Sequence, residues 1–139
     1  DLALAAPQAR FGYTEVRIGF VPALVSVLLL RQVGERHARE LLLGGHLIDA
    51  RRAAEIGLVN RVVESAPVLE AALDLAARLA RNAPRALADT KELLARLPGT
   101  SLDEGLALAA QANVAARAGE ELREGVRAFL EKREPEWRA

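Results

Sequence analysis

The chain has 139 residues, enough for one domain with a real core and too few to expect two. Hydrophobic residues make up 51% and charged residues 27%, and nineteen basic side chains balance nineteen acidic ones, so no global field draws in nucleic acid or an anionic membrane. Aromatics at 4% leave few stacking platforms for bases, and zero Cys excludes disulfides, thiolate zinc sites and cysteine nucleophiles.

Taken in order, Asp1 to Ala6 and Ala9 to Gly12 read as two short strands broken by Pro7. The chain starts without Met and runs at once into Leu2, Ala3 and Leu4, where a native terminus is usually polar. Sequence before Asp1 is therefore expected. Pro22 occupies a favourable first-turn position for a helix through Ala23 to Val33, whose near-continuous apolar run predicts burial on most sides. Phe20 to Leu30, the longest apolar stretch, is about half of a bilayer span. It also lacks the basic leader of a signal peptide, which makes a soluble, cytoplasmic protein the default expectation.

Gly34 ends that helix, and Glu35 to Leu43 form another that the Gly44-Gly45 pair stops. Asp49 is a good N-cap for Ala50 to Ile56, with Gly57 at the left-handed end position. Val59, Val62 and Val63 suit a short strand within Leu58 to Val63. From Val68 the pattern is helical: Leu69, Ala72, Leu73, Ala76 and Ala80 form one stripe. Pro84 opens the next helix and Pro98-Gly99 closes it. Ser101 and Glu104 make a capping box for a helix from Leu102 to about Ala118, and Gly119 breaks it. The last helix carries Glu120 and Glu121 in its first turn and is expected to carry Lys132 and Arg133 in its last, before Pro135.

Few residues offer chemistry. His37 and His46 lack metal-ligand spacing and carboxylate company; the first reads as solvated surface and the second as a turn residue. No Ser lies in a nucleophile elbow and no Gly-rich phosphate loop is present. Glu15 stands apart, flanked by apolar groups in Phe11-Gly12-Tyr13-Thr14-Glu15-Val16-Arg17-Ile18-Gly19. Loss of solvation there would suit a carboxylate to proton transfer near neutral pH. An ion pair with Arg17 at a strand end is the competing reading.

The order of motifs resembles the second half of the crotonase (enoyl-CoA hydratase/isomerase) family. The resemblance rests on Asp1-Leu2-Ala3-Leu4-Ala5-Ala6, then Phe11-Gly12-x-x-Glu15-Val16-x-Ile18-Gly19-x-Val21-Pro22 and Arg31-Gln32-Val33-Gly34. It continues through Glu40 to Gly45, Ile48-Asp49-Ala50, Ala54-x-x-Gly57-Leu58-Val59-Asn60-Arg61-Val62, and Glu124-Gly125 to Pro135. It implies an α/β fold: a crotonase-type ββα spiral truncated on its N-terminal side, the remainder mostly α-helical. Residues 1–66 would close the spiral core and 67–139 would form a helical trimerisation region.

What the resemblance implies for function is addition of water across a 2-enoyl-CoA through a thioester enolate held by two backbone N–H groups. Glu15 falls on the second family glutamate, which moves the α-carbon proton. Thr14 and Ala23 match positions that shape the acyl pocket, while Phe129 and Lys132 match residues that reach the nucleotide end of CoA. No metal and no separate cofactor are implied, the coenzyme A thioester being the substrate. The implied partner is a second and third copy, as a homotrimer or hexamer, with no nucleic acid or membrane. The first glutamate and the oxyanion turn lie upstream of Asp1 in the family, so this chain alone would not form a competent site. Double-bond isomerisation, which can run on one glutamate, and an inactive assembly fragment are the alternatives. Where many members follow the Pro with Gly-Ala-Gly-Gly-Thr, this chain has Ala23-Leu24-Val25-Ser26-Val27, which implies a stiffer helix and a differently shaped pocket.

Overall fold

The structure, a computed structural model, describes residues 1–137. Its elements run β1 (Leu4–Ala5), β2 (Arg10–Phe11), a 3-10 turn (Glu15–Ile18), α1 (Ala23–Gly44), β3 (Ile48–Asp49), α2 (Ala50–Glu55) and β4 (Arg61–Val62). Four helices follow: α3 (Val68–Leu79), α4 (Pro84–Arg96), α5 (Leu102–Ala118) and α6 (Glu120–Glu131). The chain divides into two compact units, Asp1–Leu75 and the residues from Ala76 onward, so the division falls inside α3.

The first unit is built on two small strand pairs. β1 lies parallel to β4, with Leu4 opposite Arg61 and Ala5 opposite Val62. The pair is extended by Asn60, whose N–H donates to the Ala3 carbonyl at 2.8 Å. The Asn60 side-chain oxygen accepts from the Ala3 N–H at 2.7 Å. β2 runs antiparallel to β3, with Arg10 opposite Asp49 and Phe11 opposite Ile48. Ala5, Leu29, Val33, Ala38, Leu41, Ile48, Ala50, Ala53, Ile56 and Val59 form the core between these pairs and the helices. Burial of this apolar set is the main stabilising term in the unit.

Gly34, at φ 74 and ψ 170, breaks α1 into the two helical runs that the sequence separates. Those angles belong to a region that only glycine occupies without strain. Gly45, at φ 57, then caps the second run, its N–H donating to the Leu41 carbonyl. Asp49 caps α2 as expected, its carboxylate accepting from the Arg52 N–H at 2.8 Å.

One expectation is overturned. The run from Ala23 to Val33 is not buried on most sides: only Leu29 and Val33 are buried, Val25 and Ser26 are partly covered, and Leu24, Val27, Leu28 and Leu30 are exposed, Leu24 by 89%. One helix face has a core to pack on in this unit, and an all-apolar sequence does not say how many faces are matched.

In the second unit, α5 packs beside α4 and α6. The capping box is formed in full, the Glu104 N–H meeting Ser101 Oγ at 3.3 Å and Glu104 Oε2 accepting the Ser101 N–H at 2.9 Å. A long-range cap supports α4: the Glu121 carboxylate accepts the Arg85 and Ala86 N–H groups at 2.8 and 2.9 Å. Two of the helix's unpaired N-terminal donors are thereby satisfied. The predicted basic last turn of α6 is also corrected. The helix ends at Glu131, and Lys132 takes the left-handed cap position. Among the described residues, no helix is long and apolar enough to cross a membrane.

Candidate active site

The approach to Glu15 is set by close backbone packing. A Cβ on Gly12 would lie 2.7 Å from Leu47 Cδ2 and 2.8 Å from the His46 carbonyl oxygen, so only glycine lets β2 pass the loop before β3 this closely. Tyr13 then packs half-buried against the core. Thr14 opens the 3-10 turn, its carbonyl accepting the Arg17 N–H at 3.0 Å, and Gly19 at φ 77 closes it. Phe20 returns an N–H to the Glu15 carbonyl at 3.0 Å. The turn rests on the Gly44-Gly45 corner. There a Cβ on Gly45 would meet Val16 Cγ2 at 2.9 Å and Arg17 Cγ at 3.4 Å.

These contacts fix the backbone on both sides of Glu15 while leaving one of its carboxylate oxygens without a hydrogen-bond partner. Oε2 of Glu15 is buried and makes no hydrogen bond; it is the only such side-chain atom among the described residues. Leaving a buried acceptor unpaired costs on the order of 1–3 kcal/mol, more for a charged group, so this oxygen stands out among the described side chains. The competing ion pair with Arg17 is not formed. The Tyr13 phenol is pushed above its usual range, first by burial and then by the charge of Glu15. Tyr13 is thus a second titratable group at this site, and the sequence reading missed it. Its position two residues before Glu15 was the available signal, obscured because a Tyr beside a Gly reads as packing.

Thr14 is exposed at the start of the turn, and Ala23 is exposed as the first residue of α1, its N–H donating to the Val21 carbonyl at 2.8 Å. Both belong to the same unit as Glu15. Phe129 and Lys132 belong to the other unit, where Phe129 is 82% exposed and Lys132 is exposed at the end of α6. The Lys132 N–H donates to the Phe129 carbonyl at 3.2 Å, so these two are tied together.

An open apolar groove of about 720 Å³ flanks the 3-10 turn, lined by Val16, Val21, Pro22, Leu30, Leu42 and Leu43 among others. Glu15 does not line it. Its one carboxylate, Glu35, is held by Arg39 at 2.6 Å, so the groove offers surface but no free acid or base. His37 lies 3.6 Å from Glu40 on an exposed helix face, and His46 sits in the turn after the Gly pair. Among the described residues, no group of three or more His, Asp or Glu could hold a metal ion.

The sequence profile of the enoyl-CoA hydratase/isomerase family matches residues 1–139, and the chain belongs to that family. A Thermus thermophilus protein provisionally named an enoyl-CoA hydratase is 54% identical over 135 residues, which are 97% of this chain and 53% of that protein. The 2,3-dehydroadipyl-CoA hydratase of Escherichia coli is 37% identical over 139 residues, 99% of this chain and 54% of its own length. Among solved structures, an enoyl-CoA hydratase from Bacillus anthracis superposes with a TM-score of 0.92 at 34% identity, over 99% of this chain and 54% of that one. The fold is therefore α/β of the crotonase type, and the chain spans about half the length of the curated relatives it matches.

Proposed function

We propose that the protein carrying this chain adds water across the double bond of a 2-enoyl-CoA, with Glu15 as the acid–base group at the α-carbon. The observation that carries this reading is the buried, unpartnered Oε2 of Glu15, fixed by a turn whose backbone is held at both ends. In the reaction the water oxygen bonds to the β-carbon as the alkene electron pair moves into the thioester carbonyl, giving an enolate. The enolate then takes a proton from the Glu15 carboxyl at its α-carbon, and the proton lost by the water restores the carboxyl. A group that exchanges this proton needs an oxygen not committed to another hydrogen bond, and Glu15 Oε2 is uncommitted. The enolate-stabilising N–H donors and the first family glutamate are assigned, by family resemblance, to the half of the relatives' length that this chain does not cover. Thr14 and Ala23 are read as shaping the acyl pocket, and Phe129 and Lys132 as meeting the nucleotide end of CoA. The helices from α3 onward are read as an assembly surface.

Double-bond isomerisation of an enoyl-CoA is the second reading. It needs only one uncommitted carboxylate, since one group can remove a proton at one carbon and return it at another. The names of the relatives quoted favour hydration.

In the full-length protein, Glu15→Gln is expected to lower kcat by about 10²- to 10⁴-fold, the usual worth of a positioned acid–base group, with KM little changed. The assay is the loss of enoyl-thioester absorbance together with α-carbon deuterium incorporation in D₂O. Unchanged turnover in that variant would sink the assignment. A 3-hydroxyacyl-CoA product supports hydration, and a shifted enoyl-CoA supports isomerisation.

A further inference from the structure

The chain leaves α6 through a turn that its sequence disfavours. Lys132 lies at φ 55 and ψ 40, the only non-glycine residue with positive φ among those described. A side chain in that region crowds the neighbouring backbone, which is why glycine normally ends a helix this way. Something must hold the turn, and the neighbouring side chains do.

Arg133 donates from Nη1 and Nη2 to the two carboxylate oxygens of Glu124, at 2.7 and 3.1 Å. Its Nε donates to Glu131 at 2.6 Å, and Nη1 also reaches the Glu134 carbonyl at 3.0 Å. Glu124 in turn accepts the Glu136 N–H at 3.0 Å. The Arg133 N–H closes on the Ala128 carbonyl at 3.0 Å. Trp137 anchors the end of the described chain: its Nε1 donates to the Arg81 carbonyl at 2.7 Å, and its ring would lie 3.4 Å from a Cβ on Gly125. A planar guanidinium bound on two edges is a rigid connector, which a lysine could not replace.

The clamp has an electrostatic result as well as a geometric one. It occupies the carboxylates of Glu124 and Glu131, while Lys132 forms no ion pair among the described residues. An uncommitted cation is thus presented one turn beyond the exposed ring of Phe129, in a fixed backbone conformation. That pairing suits a nucleotide, the ammonium serving a phosphate and the ring a purine face.

We propose that Glu124, acting through Arg133, is a positioning residue for the nucleotide of the CoA thioester, because it fixes the turn that presents Lys132 and Phe129. This rests on the reading of Lys132 and Phe129 given under the proposed function. The test uses the full-length enzyme with two substrates, a CoA thioester and the pantetheine thioester of the same acyl group, which lacks the nucleotide. Glu124→Gln is expected to raise KM for the CoA thioester by roughly fivefold, the upper range for one exposed charge contact. Both kcat and the pantetheine KM should stay within about twofold. Lys132→Ala should show the same split, and the double variant should be no worse than Lys132→Ala alone, since both changes act on one contact. Arg133→Lys, which keeps the charge but gives up the paired geometry, carries the same expectation and serves if Glu124→Gln fails to fold. A KM that rises equally for both thioesters overturns the proposal by showing a structural role only. An effect of Lys132→Ala without one from Glu124→Gln or Arg133→Lys overturns the positioning step alone. No CoA-specific effect of Lys132→Ala removes the nucleotide contact beneath it, and leaves the Glu15 chemistry to its own variant.

Discussion

The two units of this chain are held together by different means. In the first, the core cluster is Leu, Val, Ile and Ala drawn from β1, α1, β3, α2 and the segment between α2 and β4, and none of its buried residues is polar or charged. In the second, α4 and α5 bury no residue and α6 buries only Ala128. What organises the second unit is a set of polar ties: the Ser101–Glu104 box, the Glu121 carboxylate on the start of α4, and the Arg133–Glu124 clamp. The first unit also holds one buried, unpaired carboxylate oxygen, Oε2 of Glu15, whereas the lightly buried helices of the second present most of their side chains to the outside. On the proposed reading, the first unit carries the acid–base chemistry and the second presents the nucleotide-binding and assembly surface.

The largest effect that should separate the units is a core truncation. Leu29 is fully buried, so Leu29→Ala is expected to cost about 2–5 kcal/mol by urea unfolding. The same change at Leu106, which is 59% exposed, should stay within about 0.5 kcal/mol. A loss at Leu106 approaching that at Leu29 would break the contrast. It would show that the apolar side of α5 is covered in the protein as it exists, as an assembly surface would be.

Smaller in size is the cap of α5. Ser101→Ala removes the Oγ that accepts the Glu104 N–H, and a lost N-cap costs about 1 kcal/mol. Hydrogen exchange at the first amides of α5 should rise, while amides in α2 stay protected. If α2 loosened equally, the units would not be energetically separate.

How far the sequence anticipated this molecule depends on the range of the interactions concerned. Helix ends were legible because the cap of α2 at Asp49, the box at Ser101 and the breaks at Gly34 and Gly45 are made by residues a few positions apart. β1, β2 and β4 were legible as segments, but β3 (Ile48–Asp49) was hidden by its reading as the start of α2, and neither pairing could be foreseen, since Ala5 meets Val62 across most of the first unit. Glu15 was legible as an acid in apolar company. That its Oε2 is unpaired, rather than bound to Arg17, is a matter of side-chain direction that spacing does not encode. The exposure of Leu24 and Leu28 escaped for the opposite reason: hydrophobicity marks a face as fit for burial without saying whether this unit buries it. The Glu124–Arg133 clamp escaped because its partners are nine residues apart, across a helix end that helical periodicity does not bridge.

The smallest expected effect is a titration, and it falls entirely within the second unit. The Glu124 carboxyl is held down at about 2, first by the Arg133 guanidinium and next by the Glu136 N–H, with Arg127 at 3.9 Å adding a weaker attraction. A depressed folded-state value means that the ionised form is the one the fold prefers. The stabilisation it supplies is therefore complete above the ordinary value of 4.5, and it is lost as pH falls from there toward 2. Solvent screening keeps the effect local, since Glu124 and Arg133 both lie within reach of water. Trp137, the only tryptophan in this sequence, reports it, because its ring rests over Gly125 and its N–H on the Arg81 carbonyl. Quenching of its emission by acrylamide should increase across that pH interval, and far-UV circular dichroism followed alongside separates release of the tail from loss of the helices. In Glu124→Gln the quenching should already be raised at neutral pH and stay flat on acidification. A wild-type signal that does not move before the helices melt would mean that Trp137 is held by the Arg81 and Gly125 contacts alone, and that the clamp governs only the turn at Lys132.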